Sequence, residues 1–378
     1  MENTKRTNGN LTRRKFLGGT AAAAALTVMP FNFSEGPAIL SSASSAQPNS
    51  NFGGVQIGAI TYSWRDLPGG LENIVKYCKE AGISSVELMS GDLETFLGAP
   101  ENPRQGMFRP PQGQRPAAQP AANPPAQGQG NQPAQANRPE GAPAQAPGGG
   151  FQRPRLTPEQ EAQVAKYNED LKAWRLSVPM SKVAEAKKMF DNAGIGIHIV
   201  KFSPARWSDE EIDYAFKVAK AMGAKGVTDE LSEDAVKKLA PFAEKHGMYA
   251  IFHQHMQFAT PGFSYDPFLA VSPAVMMNFD AGHFFGSTGI HPNTIIEKYH
   301  NRLVSVHIKD KTGPNTDPAN TNQVWGQGEM PLEDVLLLIK KEKWPLFCDI
   351  ELEYPVKPWS TSVKEVRTCV HYARQILM

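Results

Sequence analysis

Four strand-like segments in the second half of the chain run outward to an acid or an imidazole: VTDEL to Glu230, MMNFDAGH to Asp280, SVHIKD to His307 and CDIELEY to Glu351. Three carboxylates and one imidazole form a donor set for a divalent ion. Such an ion polarises a bound oxygen and makes the proton on the neighbouring carbon easier to remove. The four segments lie far apart in sequence, so they act together only if the fold brings one end of every strand to a common rim. A barrel of parallel strands does this, because all its strands point the same way and open onto one face.

The elements that must position these residues alternate with regularity. VQIGAIT precedes GGLENIVKYCKEAG, and SSVELM precedes a long loop and then LTPEQEAQVAKYNEDLKAWR. IGIHIVKF pairs with SDEEIDYAFKVAKAMG, AKGVTDE with SEDAVKKLAPFAEKHG, and MYAIFHQH with a short DPFLAV. AVMMNFD then leads to HPNTIIEKYH, LVSVHIKD to PLEDVLLLIKKE, and LFCDIELE to TSVKEVRTCVHYARQIL. The helix-like members carry apolar residues three and four apart, with Ser208, Ser232 and Pro331 at cap or first-turn positions. Eight strand–helix pairs predict an α/β chain closed into a (β/α)8 TIM barrel over residues 52–378. No glycine-rich dinucleotide fingerprint follows the first strand.

Within that frame each candidate ligand falls at the carboxyl end of its strand, as does Glu87 on the second. His253 and His255 are two apart and share a side of the fifth strand, and His307 and Lys309 share a side of the seventh. Asp349, Glu351 and Glu353 line one side of the eighth, where they repel one another unless a cation or basic partners are present. Taken singly these residues have ordinary readings. Asp280 could turn the chain before Gly282, Glu230 could prepare the helix beginning near Ser232, and a lone strand histidine such as His198 is commonly a hydrogen-bonded core residue. Four ligand-type residues at one end of strands four, six, seven and eight point to a site.

Composition narrows the function classes. The chain has 378 residues, 40% hydrophobic and 20% charged, with a formal net charge of +1. This suits one core of about 250 residues plus appendages, and no strong field favours nucleic acid. Cys78, Cys348 and Cys369 are scattered, so neither a thiolate cluster nor a disulfide framework is legible. The segment TRRKFLG followed by AAAAALTVMP resembles a twin-arginine export signal, with a small-residue cleavage region, SSASSAQ, near Ala46. Residues 1–46 are therefore expected to engage the twin-arginine translocation machinery and deliver the protein to the periplasm, membrane-anchored where the signal is retained. Removing them shifts the formal charge to about −2. Residues 99–154, rich in Pro, Gln, Ala and Gly, form an expected disordered insertion after the second strand. Trp64, Trp207, Trp325 and Trp359 follow strands and are open to two readings, stacking on sugar rings or capping the core.

The ordered series SSVELM, FHQH, FDAGH, VHIKD, GQGEMPLEDVL and IELE, between about Val55 and Leu377, resembles the sugar phosphate isomerase/epimerase superfamily. These xylose isomerase-like (β/α)8 enzymes include tagatose/psicose epimerases, inosose dehydratase and the endonuclease IV branch, and the exported branch with His-x-His at the fifth strand is the nearest in pattern. The resemblance implies that Glu230, Asp280, His307 and Glu351 hold a divalent metal, Mn²⁺ or Mg²⁺ first, with Zn²⁺ or Co²⁺ as alternatives. It implies that His283 contacts substrate and that Glu87, His255 and Lys309 line the sugar pocket, with His253 beside them. Epimerases of the family commonly place a Glu where this chain has FHQH, so the first ligand is either Glu230 or one of His253 and His255. Asp229 beside Glu230 and Glu353 beside Glu351 are further choices.

The chemistry that follows is proton removal beside the carbonyl of an unphosphorylated sugar or keto-sugar, with Glu230 and Glu351 as acid–base groups and His283 polarising an oxygen. Loss of a β-substituent would make the same site a lyase or dehydratase acting on 3-keto-glycosides, and a non-catalytic carbohydrate-binding protein is the rival from another class. A DNA-repair role would require a basic surface that the charge does not provide. The expected partner is a small sugar, and a homo-oligomer is compatible with the pattern.

Overall fold

The computed structural model describes residues 47–103 and 156–378. The expected export signal at 1–46, and all of the expected insertion beyond residue 103, lie outside the described residues.

Eight strands form the barrel: β1 (Val55–Ile60), β2 (Ser85–Met89), β3 (Gly196–Lys201), β4 (Gly226–Glu230), β5 (Tyr249–His253), β6 (Val275–Asp280), β7 (Leu303–Ile308) and β8 (Phe347–Ile350). Each is parallel to the next, and β8 pairs with both β7 and β1, which closes the sheet. The register sets the site, because residues paired across adjacent strands lie at one height. Glu230 pairs with His253, and Asp280 with His307, which in turn pairs with Asp349 two residues before Glu351. Glu351 itself lies one residue beyond β8.

Among the described residues the longer helices are α1 (Leu71–Ala81), α2 (Ser90–Leu97), α3 (Pro158–Ser177), α4 (Met180–Ala193), α5 (Asp209–Ala221), α6 (Glu233–His246), α7 (Ala281–Thr288), α8 (Asn293–Tyr299), α9 (Leu332–Glu342) and α10 (Ser362–Leu377), and the expected short helix after β5 is the single turn Asp266–Leu269. Ser232 Oγ accepts from Ala235 N at 3.2 Å to start α6, Ser208 donates to Glu211 at the start of α5, and Pro331 precedes α9.

The second strand–helix unit differs from the sequence reading. The helix that covers the barrel there is α4, which packs on α1, α5 and β3 and buries Val183, Ala186 and Phe190. The expected helix, α3, lies outside against α5 and buries little besides Val164, Leu171 and Arg175. The physical reason is visible in the spacing: MSKVAEAKKMF carries one apolar stripe, whereas the apolar positions of α3 are too sparse to form one. A buried cation holds α3 instead. Arg175 grips both carboxylate oxygens of Glu94 at 2.8 and 3.1 Å and reaches Glu211 at 3.1 Å, and its guanidinium lies 3.5 Å from the ring centre of Trp207.

The barrel interior changes character from bottom to top. Ile199, Ile251, Met276 and Val304, with Phe347 against them, form a small apolar plug. A register shift in the β2–β3 pairing skips His198 and places it inside with Ile199. Above the plug the interior is polar, and Glu87, Asn278, Asp280, His307 and Asp349 are all fully buried. The outward faces of the same strands carry Val227, Phe252, Phe279 and Ile308 into the main helix-covered core.

Candidate active site

At the carboxyl end of the barrel, His253, Asp280, His307 and Glu351 each offer one donor atom, and these four atoms lie within 4.8 Å of one another. All four residues are buried. They come from β5, β6, β7 and the residue after β8, so four adjacent strands supply one cluster. Two nitrogen and two oxygen donors in a buried nest suit a divalent cation, and this set could hold one.

Each imidazole of the cluster has a carboxylate on its other side. His307 directs Nδ1 to Glu351 Oε2 and Nε2 to Glu87 Oε2, both at 2.8 Å. His253 directs Nε2 to Asp280 Oδ2 at 3.4 Å and Nδ1 to Glu230 Oε2 at 3.3 Å. An outer carboxylate that accepts the distal N–H fixes the tautomer and orientation of a ligating histidine. Glu87 stands in that relation to His307, and Glu230 to His253.

Lys309 is the internal cation. Its buried ammonium lies 2.8 Å from Asp280 Oδ2, 2.6 Å from Glu351 Oε2 and 2.8 Å from Glu353 Oε2. A Cβ at Gly282 would lie 2.1 Å from Lys309 Cγ, so the glycine of FDAGH gives the lysine of HIKD its room. The next residue, Asp310, accepts from Gly326 N at 2.8 Å, Gly328 N at 2.9 Å and Met330 N at 3.3 Å, tying the GQGEM segment to the same strand end.

The charges are mutually dependent. Burial opposes ionisation of Asp280 and Glu351, yet Lys309 and the histidines hold both carboxyls well below the ordinary range. Burial also opposes the His307 imidazolium, but Glu351 and Glu87 hold its pKa well above the usual value. Glu230 is lowered against its burial by His253, His255 and Lys201, whose Nζ lies 2.8 Å from Oε1. His283 behaves oppositely. Burial, assisted by Lys309 and Lys311 and resisted by Asp280, lowers it to about 4.

The sequence-derived residues occupy three depths. Asp280, His307 and Glu351 meet as expected, and the fourth member of the tight cluster is His253. Glu230 belongs to an adjoining group with His253 and His255, and His255 Nε2 lies 2.9 Å from Glu230 Oε2. Glu87 is beneath His307, fully enclosed, and receives Asn278 Nδ2 at 2.8 Å. His283 sits nearer the mouth, its Nε2 3.6 Å from Asp280 and 3.7 Å from Glu353. Asp229 is occupied by the backbone N–H groups of Ala205 and Glu230. Of the tryptophans, Trp64 and Trp325 are buried in the core, Trp207 lies under Arg175, and Trp359 is 78% exposed.

Two basic residues were not singled out from the sequence. Lys201 ends β3 as the candidate ligands end their strands, a signal that was available. Lys311 is buried with its Nζ 3.5 Å from His283 Nδ1, and its position follows the barrel proper, where strand alternation gives no guide.

Fold and cluster together define a (β/α)8 barrel with a polar, ligand-rich centre at its carboxyl end. The chain belongs to the xylose isomerase-like TIM barrel family, whose model matches residues 180–369. Over 83 residues it is 35% identical to an inosose dehydratase of Clostridium beijerinckii, a stretch that is 21% of this chain and spans 28% of that protein's length. A xylose isomerase domain protein of Alicyclobacillus acidocaldarius is similar in fold, with a TM-score of 0.50 and 13% identity over 85% of this chain and 98% of the other. So is a probable 3-DHS dehydratase of Bacillus anthracis, with a TM-score of 0.50 and 11% identity over 84% of this chain and 98% of that one.

Proposed function

We propose that this protein is a divalent-metal-dependent enzyme that moves a proton beside the carbonyl of an unphosphorylated sugar or keto-sugar, as an isomerase or epimerase. The observation that carries this reading is the buried His253–Asp280–His307–Glu351 cluster at the catalytic face of the barrel. A divalent ion bound there would supply Lewis-acid polarisation of adjacent sugar oxygens. The protein's own residues do the rest. Glu87 and Glu230 orient His307 and His253, and Lys309 fixes Asp280, Glu351 and Glu353 against one another. His283, neutral above about pH 4, presents an imidazole at the mouth that can accept or return a proton. Glu351, 2.6 Å from Lys309 and 2.8 Å from His307, is the second acid–base group of this reading. Glu230, expected from the sequence as ligand and base, is assigned instead to orienting His253, whose Nδ1 lies 3.3 Å from its Oε2.

The local resemblance to an inosose dehydratase supports a second reading, in which the same proton removal is followed by loss of a β-oxygen substituent. Export to the periplasm through the twin-arginine machinery is proposed on the signal-like residues alone. The test is incubation of the Mn²⁺-loaded protein with free sugars and 3-keto-glycosides in D₂O. Deuterium incorporation without bond cleavage is expected for an isomerase or epimerase. Release of the substituent would establish the lyase reading, and absence of exchange with every substrate would overturn both.

A further inference from the structure

Three lysines surround the cluster, and they differ in what they pair with. Lys309 meets three carboxylates, and Lys201 meets Glu230 at 2.8 Å. Lys311 is only 3% exposed, yet among the described residues its ammonium makes no ion pair. Its hydrogen-bond partner there is His283 Nδ1, at a long 3.5 Å, which leaves two of its three N–H donors uncommitted. Burial opposes all three charges. Carboxylates overcome it at Lys201 and Lys309 and raise their pKa values, whereas the like charge of Lys309 adds to it at Lys311 and lowers that one. An ammonium buried without an anion destabilises a fold. The backbone around Lys311 is nonetheless firmly built. Asp310 accepts three backbone N–H groups, Lys311 pairs with Asn322 across a short antiparallel ladder, and a Cβ at Gly286 would lie 3.0 Å from Lys311 Cε. That fixed position is one imidazole away from the cluster, since His283 turns Nδ1 to Lys311 and holds Nε2 3.6 Å from Asp280 Oδ2.

From this geometry we infer that Lys311 binds the substrate oxygen on which negative charge develops as the proton leaves the neighbouring carbon. The inference rests on the proposed proton-transfer function and adds a catalytic residue to it. The acid–base group takes the proton, the C–H electron pair becomes the carbon–carbon double bond of the enediolate, and the carbonyl π pair moves onto oxygen as the charge that Lys311 meets. Lys309 and Lys201 are already neutralised by the protein's own carboxylates, so they have less to offer an arriving anion. Lys311 gains an anionic partner only when the oxygen becomes charged. It therefore stabilises the transition state more than the bound ground state, which is the condition for lowering a barrier.

The experiment compares the parent full chain with Lys311→Met in three measurements. In the Mn²⁺-loaded proteins, kcat for solvent-deuterium exchange into keto-sugars should fall roughly a hundredfold or more with KM nearly unchanged, as for loss of one oxyanion donor. Calorimetric affinity for D-threonohydroxamate, whose anion carries the planar oxygen pair of an enediolate, should fall about tenfold or more while that for neutral threitol holds. The thermal midpoint of the metal-free protein should stay level or rise, because the substitution removes an unpaired buried charge. A lowered midpoint would make Lys311 a structural residue and overturn the inference. So would hydroxamate binding that is equal in the two proteins or absent from both, since a lysine acting only through His283 would leave it unchanged. Exchange that survives intact in Lys311→Met removes Lys311 from the reaction and leaves the proposed function standing. Lys311-dependent hydroxamate binding by a parent that exchanges no substrate keeps Lys311 as an anion-binding residue and overturns the proposed function instead.

Discussion

Two histidine–carboxylate clusters meet in the barrel interior at Asp349, which also lies within 4.8 Å of donors on Glu87 and His307, and they differ in access rather than in residue type. In the lower one, Ser85 Oγ and Asp349 Oδ2 lie 2.8 Å from the two nitrogens of His198, whose ring stacks on Phe347 at 4.1 Å. Every member is buried, and a Cβ at Gly58 would lie 2.1 Å from Asp349 Oδ1, so the backbone itself closes that side. In the upper cluster the same residue types are more numerous, balanced by Lys309 and Lys201, and exposed through Glu230, His255 and Glu353. A histidine–aspartate contact is therefore no sign of chemistry by itself. What marks the upper cluster is convergent donors, compensating internal cations and a route to solvent.

The sharpest test exchanges one member of each cluster. Asp280→Asn should abolish metal binding and lower solvent-deuterium exchange roughly a thousandfold or more, the loss of several kcal/mol of transition-state stabilisation. His198→Phe should leave metal content unchanged and show its effect in denaturant unfolding, because Asp349 Oδ2 and Ser85 Oγ each lose a buried hydrogen-bond partner, at about 1 to 3 kcal/mol apiece. Metal loss in the His198 variant would erase the distinction between the clusters.

Lys309→Met removes the cation that the lower cluster does not need. The metal-free variant should be destabilised by about 3 to 5 kcal/mol, since Asp280, Glu351 and Glu353 lose their common partner. Saturating Mn²⁺ should recover much of this by binding the folded state, seen as a larger thermal-midpoint gain than in the parent protein. Equal midpoint gains would mean that the ammonium does not neutralise the cluster.

Glu230→Gln should weaken metal binding roughly 10- to 100-fold without abolishing it, the size of effect expected for a group that orients a ligand. Complete loss would return Glu230 to the ligand role first read from the sequence. The smallest effect concerns pH. His283 has its folded-state pKa lowered to about 4, below the ordinary 6.5, so the unfolded chain binds more protons between those values. Its contribution makes metal-free stability rise as pH increases from about 4 to 6.5, and His283→Asn should flatten that slope in unfolding curves. A slope unchanged by the substitution would place its origin in other groups.

Much of this was legible without coordinates. The family match and the closed eight-stranded sheet bear out the barrel, and Asp280, His307 and Glu351 lie together as their strand-end positions implied. The alternation argument also placed His253 and His255 on one side, and both reach Glu230. Sequence pattern is less decisive where two helical segments follow one strand. LTPEQEAQVAKYNEDLKAWR does form a helix, started by a Thr157 capping box, but the helix that covers the barrel is the following α4, whose MSKVAEAKKMF stripe the strand–helix pairing left out. Propensity reports that a helix forms, and only an apolar stripe reports what it covers.

The sequence by itself determined the repeating units, the end of each strand at which the polar residues fall, and the side they share with neighbours two positions away. Those properties depend on local periodicity. Only the tertiary structure decided depth and partnership: that His253 completes the four-donor cluster with Glu230 behind it, that Glu87 lies under His307, that Lys309 joins three carboxylates, and that Trp359 alone of the four candidate tryptophans is freely exposed. These depend on the register between strands distant in sequence and on the radial direction of side chains in a closed barrel, and neither is carried by the spacing of residues along one strand.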